Sequence, residues 1–148
     1  MTAMLAEILF CPDTQPQLVA DCYALIEQEV AELSGVSGAA VKLAYKTVNT
    51  FVPGHTYHMM RALLPQLVDE LESYWADFRT SGCAEFGDYL AKHGTEVSQA
   101  LLTVADARAA ESSRQIVIKA YSTIRNSAAR HVEAALPRVG EVLQNLAS

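Results

Sequence analysis

The chain has 148 residues, 51% hydrophobic and 19% charged, which excludes a disordered polar chain and suffices for a core without disulfides or metals. Its net charge of −6 repels phosphate at long range, so no nucleic-acid partner is expected. The sequence has neither a run of about 18 apolar residues nor a basic stretch leading into an apolar one, so neither a membrane span nor a signal peptide is expected.

Glycine and proline are few, at seven and five, which favours long helices. A short apolar segment from Ala3 to Phe10 predicts a first helix, stopped at Cys11-Pro12 because the residue before proline disfavours the α region. Asp13 or Thr14 can cap a second helix with Pro16 in its first turn. Leu18, Cys22, Leu25, Ile26, Val30 and Leu33 form its apolar stripe. Ser34 to Gly38 breaks the pattern, and Ser37 is the expected cap of a third helix through Val41, Ala44, Tyr45 and Val48.

Pro53-Gly54 ends that helix. A longer one follows from His55 to about Arg79, with Met59, Met60, Leu63, Leu64, Leu67, Val68, Leu71, Trp75 and Phe78 as its apolar stripe and Pro65 expected to kink it. Ser81-Gly82 is the next break, before a short helix from Ala84 to Lys92. Gly94 stops that helix and Thr95 is the expected cap of the next, which carries Val97, Leu101, Val104 and Ala105. Ser112-Ser113 interrupts or bends the chain before a last helix through Ile116, Tyr121, Ile124, Val132 and Leu136. Pro137 and Gly140 should bend that helix. Gln115 to Lys119 is β-branched, but its flanks are helical in pattern, so it is read as helix. The expected fold class is all-α, a compact multi-helix bundle in a single helical domain, 1–148.

Shifting the sequence by 76 residues aligns Ala44-Tyr45-Lys46-Thr47-Val48 with Ala120-Tyr121-Ser122-Thr123-Ile124, among other pairs. Leu64-Pro65 and Leu136-Pro137 also match if the second copy has lost four residues. This reads as a tandem repeat of a four-helix unit, 1–76 and 77–148, with the halves packed about a pseudo-two-fold axis. The alternative is that alanine-rich helices match by accident. On the repeat reading Tyr74, Trp75, Phe78, Phe86 and Tyr89 would fill the junction.

The stretches 37–48 (SGAAVKLAYKTV), 74–82 (YWADFRTSG), 86–114 (FGDYLAKHGTEVSQALLTVADARAAESSR) and 135–143 (ALPRVGEVL) resemble a family of short bacterial domains of unknown function. The resemblance covers most of the chain and implies a compact helical protein. It implies no activity, cofactor or residue role.

Chemistry-bearing patterns are sparse. Cys11, Cys22 and Cys83 are odd in number and lack CxxC spacing, so they read as reduced thiols in a cytoplasmic protein. His55 and His58, three apart at a helix start, could share a metal or anchor a metal- or haem-dependent site, but a third ligand would have to come from another helix. Cys11-Pro12 is a dipeptide seen at thiolate-haem sites, and its simpler reading is a helix stop. Residues 34–38 (SGVSG) match neither a phosphate-binding loop nor a nucleophile elbow. The carboxylate pairs Glu29/Glu32 and Asp69/Glu72 would need burial to do acid-base work, and no ExxH pair suggests a di-iron bundle.

The charge is uneven. Residues 1–76 hold three basic and nine acidic residues, whereas six basic residues against two acidic ones lie between Arg108 and Arg138. Arg108, Lys119 and Arg130 recur every 11 residues, and Arg114 and Arg125 share that step. On a continuous helix they would form a basic face about 30 Å long. The leading expectation is therefore a non-enzymatic module without a cofactor, associating with a protein partner or as a homo-oligomer through Arg108, Arg114, Lys119, Arg125 and Arg130. The second is a carrier of a small apolar ligand between the halves, in a cavity lined by Tyr45, Met59, Met60, Leu63, Trp75 and Tyr121. The third is the metal- or haem-dependent protein at His55 and His58.

Overall fold

A computed structural model describes residues 4–148. Among them seven α-helices and no strands are found: α1 Leu5–Leu9, α2 Gln15–Ala31, α3 Gly35–Phe51, α4 His55–Ser81, α5 Phe86–Lys92, α6 Gly94–Ala110 and α7 Gln115–Ala147. The expected first helix began at Ala3, which lies outside the described residues. The fold class read from the sequence holds, and the seven helices match the seven expected from the breaks along the chain. The expected last helix is the 33-residue α7; no Pro-Gly pair divides it as Pro53-Gly54 separates α3 from α4, so the four-helix order expected for a tandem repeat does not recur after residue 76. At that separation Gly54 adopts φ 76°, a left-handed conformation that costs a residue without Cβ little.

Several boundaries differ from expectation. The third helix starts at Gly35 after Ser34, not at Ser37, because Gly35 takes φ 77° and turns the chain before the motif ends. Gly94 begins α6 after His93 instead of stopping the chain before Thr95. There the backbone N–H of Val97 bonds the carbonyl of His93, so the chain passes from α5 into α6 without a Thr cap. The prolines do not interrupt their helices: α4 runs through Pro65 and α7 through Pro137.

The core stripe of α4, Met60, Leu64, Val68, Leu71, Trp75 and Phe78, is buried throughout. It meets Leu5 and Leu9 of α1, Leu18 and Val19 of α2, Phe86 and Leu90 of α5, Val97 of α6, and Leu136 and Leu143 of α7 in one cluster. Burying each such side chain contributes about 1.5–3 kcal/mol, offset by the entropy of ordering it. Trp75, Phe78 and Phe86 pack ring on ring with centroids 5.0–5.5 Å apart, and Tyr89 lies 6.0 Å from Phe78. A second, smaller cluster joins Val48 of α3 to Val117 and Ala120 of α7.

Two short helices are held by side chains from long ones. The backbone N–H groups of Leu5 and Ala6 donate to the Glu72 carboxylate at 2.9 and 2.6 Å. The N–H of Phe86 donates to Gln144 Oε1 at 2.8 Å, and Gln144 Nε2 donates to the Ala84 carbonyl at 3.1 Å. First-turn N–H groups have no partner within their own helix, so a carboxylate or amide from elsewhere both satisfies and anchors them. Glu72 and Gln144 each stand seven residues after a Leu-Pro pair.

Candidate functional site

The inner face of α4 carries two apolar stripes one position apart. Met60, Leu64 and Val68 enter the core, while Met59, Leu63 and Leu67, spaced by four, are only half-buried. The second stripe lacks a helix against it. α7 packs closely on α3, α5 and α6 but not on α4. The gap is a solvent-open cavity of about 720 Å³. Its α6 and α7 walls are made in part by Ala105, Ala109 and Ala120, whose short side chains leave the space unfilled, with Val117 and Ile124 completing an apolar surface.

Polar groups are few and fall at particular places. His55 and His58 line the cavity from the start of α4, and Arg108, Glu111 and Arg114 line it from the α6–α7 turn. Burial lowers the His55 pKa, and the nearby Arg114 guanidinium and His58 push it the same way, so the imidazole is predominantly neutral at pH 7. Tyr45 reaches in from α3. Its hydroxyl is sealed from solvent without a hydrogen-bond partner, and burial pushes its pKa up to about 12. An unpartnered buried hydroxyl costs about 1–3 kcal/mol. Across the cavity the Tyr121 hydroxyl donates to Asp106, which also accepts from Arg125 Nε at 3.0 Å. Those two donors hold the Asp106 carboxyl below its usual range, and burial followed by Asp106 raises Tyr121.

Five of the six residues proposed from the sequence for a ligand cavity come together here: Tyr45, Met59, Met60, Leu63 and Tyr121. Trp75 does not. It lies four turns along α4 from Met60, buried against Phe78 and Phe86 with Arg79 stacked 5.7 Å from its ring.

The basic residues do not share the one continuous helix that their two expected stripes require. Arg108 belongs to α6 and Arg114 to the end of the turn before α7, so the helix that would have aligned them is broken at residues 111–114. Arg125 is tied to Asp106, and Arg130 donates to Ser37 Oγ at 2.5 Å. Lys119 is exposed on α7. Arg138, outside the expected set, bridges α7 to α2 by donating to Glu29 at 2.9 Å and Glu32 at 2.5 and 3.2 Å.

His55 and His58 lie together at the cavity mouth. Among the described residues no group of three or more His, Cys, Asp or Glu side chains is placed to hold a metal. Cys11 is exposed in the turn after α1. Among the described residues, no helix is long and apolar enough to cross a membrane.

Residues 5–147 match the model of DUF6918, a family of unknown function. The chain belongs to that family. No curated protein and no solved structure matches it.

Within this DUF6918 chain, sequence reasoning missed the mixed character of the cavity. Arg108 and Arg114 were expected on a basic face and His55 at a metal, whereas His58 was expected beside Met59 and Met60 as well as at that metal, and it lines the cavity with them. The signal available was the Ser112-Ser113 break, which turns the chain so that residues on either side of it look into the same space.

Proposed function

We propose that the protein binds a small, mainly apolar molecule in the cavity between α4 and the first half of α7. The carrying observation is the unfilled, predominantly apolar space of about 720 Å³ beside the Met59-Leu63-Leu67 stripe. Small-molecule sites commonly enclose about 300–1,000 Å³ with a few placed polar groups. Apolar surface facing water there is stabilised by roughly 25 cal/mol per Å² when a guest covers it. Two methionines suit an irregular guest because the thioether side chain repacks readily. Three free cysteines accord with a reducing, cytoplasmic setting.

A native mass spectrum of the protein purified from its own host tests this reading. Extra mass per chain, released by organic solvent, is expected, and its value identifies the guest. A bare chain that also fails to take up a neutral apolar dye would overturn the reading.

Association is the second reading, and the observation favouring it lies on α3, not on the basic residues. Val36, Leu43 and Phe51 are 92%, 68% and 70% exposed and fall on one side of that helix at steps of seven and eight residues. An apolar row of this kind suits a protein partner or a second copy. Light scattering across a concentration series should then show a dimer that Leu43→Ser with Phe51→Ser dissociates. A monomer at every concentration, with no partner recovered, would count against it.

A further inference from the structure

We infer that the guest of this cavity is an anionic amphiphile, its acidic head group held at the α6–α7 turn and its apolar body laid along α4. The inference rests on the cavity reading above and adds the chemistry of the ligand.

The charged and imidazole side chains of the cavity lining come from two stretches only, the start of α4 and the α6–α7 turn. Arg108, Arg114, His55 and His58 line it from two separate stretches of chain, and Arg114 lies close enough to His55 to depress its protonation. Against these, Glu111 is the one carboxylate in the lining. It sits 4.0 Å from Arg108, with both side chains well exposed, so it neutralises the turn weakly.

The contrast with the other arginines of this region is informative. Arg125 and Arg138 are each engaged by carboxylates at hydrogen-bond distance, and Arg130 by a hydroxyl. The Arg114 guanidinium has no hydrogen-bond or ion-pair partner among the described residues, yet it lines an apolar cavity. A guanidinium presents a planar fork of donors that matches a carboxylate, and a partner carried by the ligand would complete it. The same field disfavours a cationic head group. Arg114 is exposed, so beside a neutral molecule its guanidinium stays hydrated and contributes nothing to binding.

The test uses three probes that share one alkyl chain: dodecanoate, dodecan-1-ol and dodecylammonium. Each is titrated below its aggregation limit against the full-length protein preloaded with Nile red, a neutral dye. Dodecanoate should displace the dye about tenfold more tightly than the alcohol or better, and dodecylammonium should bind weakest. Arg114→Gln should bring the acid to within about threefold of the alcohol while leaving the alcohol's affinity unchanged. Arg130→Gln, away from the cavity, should change neither. Equal binding of acid and alcohol by the wild-type protein, or tighter binding of the ammonium, would overturn this inference while the cavity reading stands. Failure of Nile red and all three probes to bind would overturn the cavity reading itself. The wild-type series decides the point even if the Arg114 variant does not fold.

Discussion

Gly140→Ala sets two physical effects of opposite sign against each other. In a solvent-exposed helix interior, replacing glycine by alanine stabilises by about 0.8–1 kcal/mol. At position 140 the added Cβ would stand 2.3 Å from both Cα and N of Gly87 and 2.7 Å from the Phe86 carbonyl carbon. These are backbone atoms of α5, so no rotamer change relieves the clash. An ordinary contact begins near 3.4 Å, so α5 must retreat by about 1 Å, taking Phe86 away from Trp75 in a core packed at crystal-like density. Overpacking of this kind costs about 1–3 kcal/mol or more. The packing term therefore wins, and the variant should be less stable by about 1–2 kcal/mol, a fall in Tm of roughly 3–8 °C for a chain of this length. Thermal melting by circular dichroism measures it, with Asn126→Ala, exposed on the same helix, as a control that should not melt lower. A rise of about 3 °C in Gly140→Ala, the value expected from propensity alone, would refute the close approach of α5 and α7.

Removing the carboxylate that anchors α1, in Glu72→Ala, should cost about 1–2 kcal/mol in urea melting, with Glu72→Gln intermediate; an unchanged midpoint would contradict the anchoring bonds to Leu5 and Ala6. Burial lowers the pKa of both His55 and His131, so the unfolded chain takes up protons first. The stability these two neutral side chains supply is complete above about pH 6.5 and is lost as the pH falls through their lowered values. Tm should therefore drop between pH 7.5 and 5.5, and less so in His131→Gln; an equal drop in that variant would exclude His131. Glu32 and Asp106, held below the usual carboxylate range by Arg138 and by Tyr121 with Arg125, should add a separate loss only below about pH 4. Burial pushes the Cys22 thiol to about 12 while Cys11 is exposed, so iodoacetamide at pH 8 should label Cys11 well before Cys22. Equal labelling of the native protein would contradict the packing of α2.

The stripes and breaks that define helices were legible because they are local. Pro12, Gly35, Pro53-Gly54 and Gly82 each end or redirect the chain through their own backbone preferences, and helical spacing alone puts the apolar face of α4 between Met59 and Phe78, though it does not separate the core residues from Met59, Leu63 and Leu67. What was hidden depends on pairs of residues far apart in sequence. Glu72 reads as one of several surface carboxylates until α1 places two N–H groups against it. Gly140 reads as a helix bend, and only the crossing of α5 shows that Gly87 needs the space. Trp75 lies on the same face of α4 as Met60, but nothing local says that the face leaves the cavity and enters the core before reaching it. The basic residues were placed on one helical face because periodicity was carried across Ser112-Ser113. Once the helix breaks there, Arg108 and Arg114 look into the cavity while Arg125 and Arg130 pair within the fold.

The central claim is that the space beside Met59, Leu63 and Leu67 holds a guest, and filling it from within tests that claim most directly. Ala105→Trp places an indole in the cavity wall of α6. Nile red titrated into wild-type protein stripped of bound molecules should saturate at one dye per chain, and Ala105→Trp, still folded by circular dichroism, should lose that binding. Undiminished dye uptake by the folded variant, or none by the wild-type protein, would contradict the account.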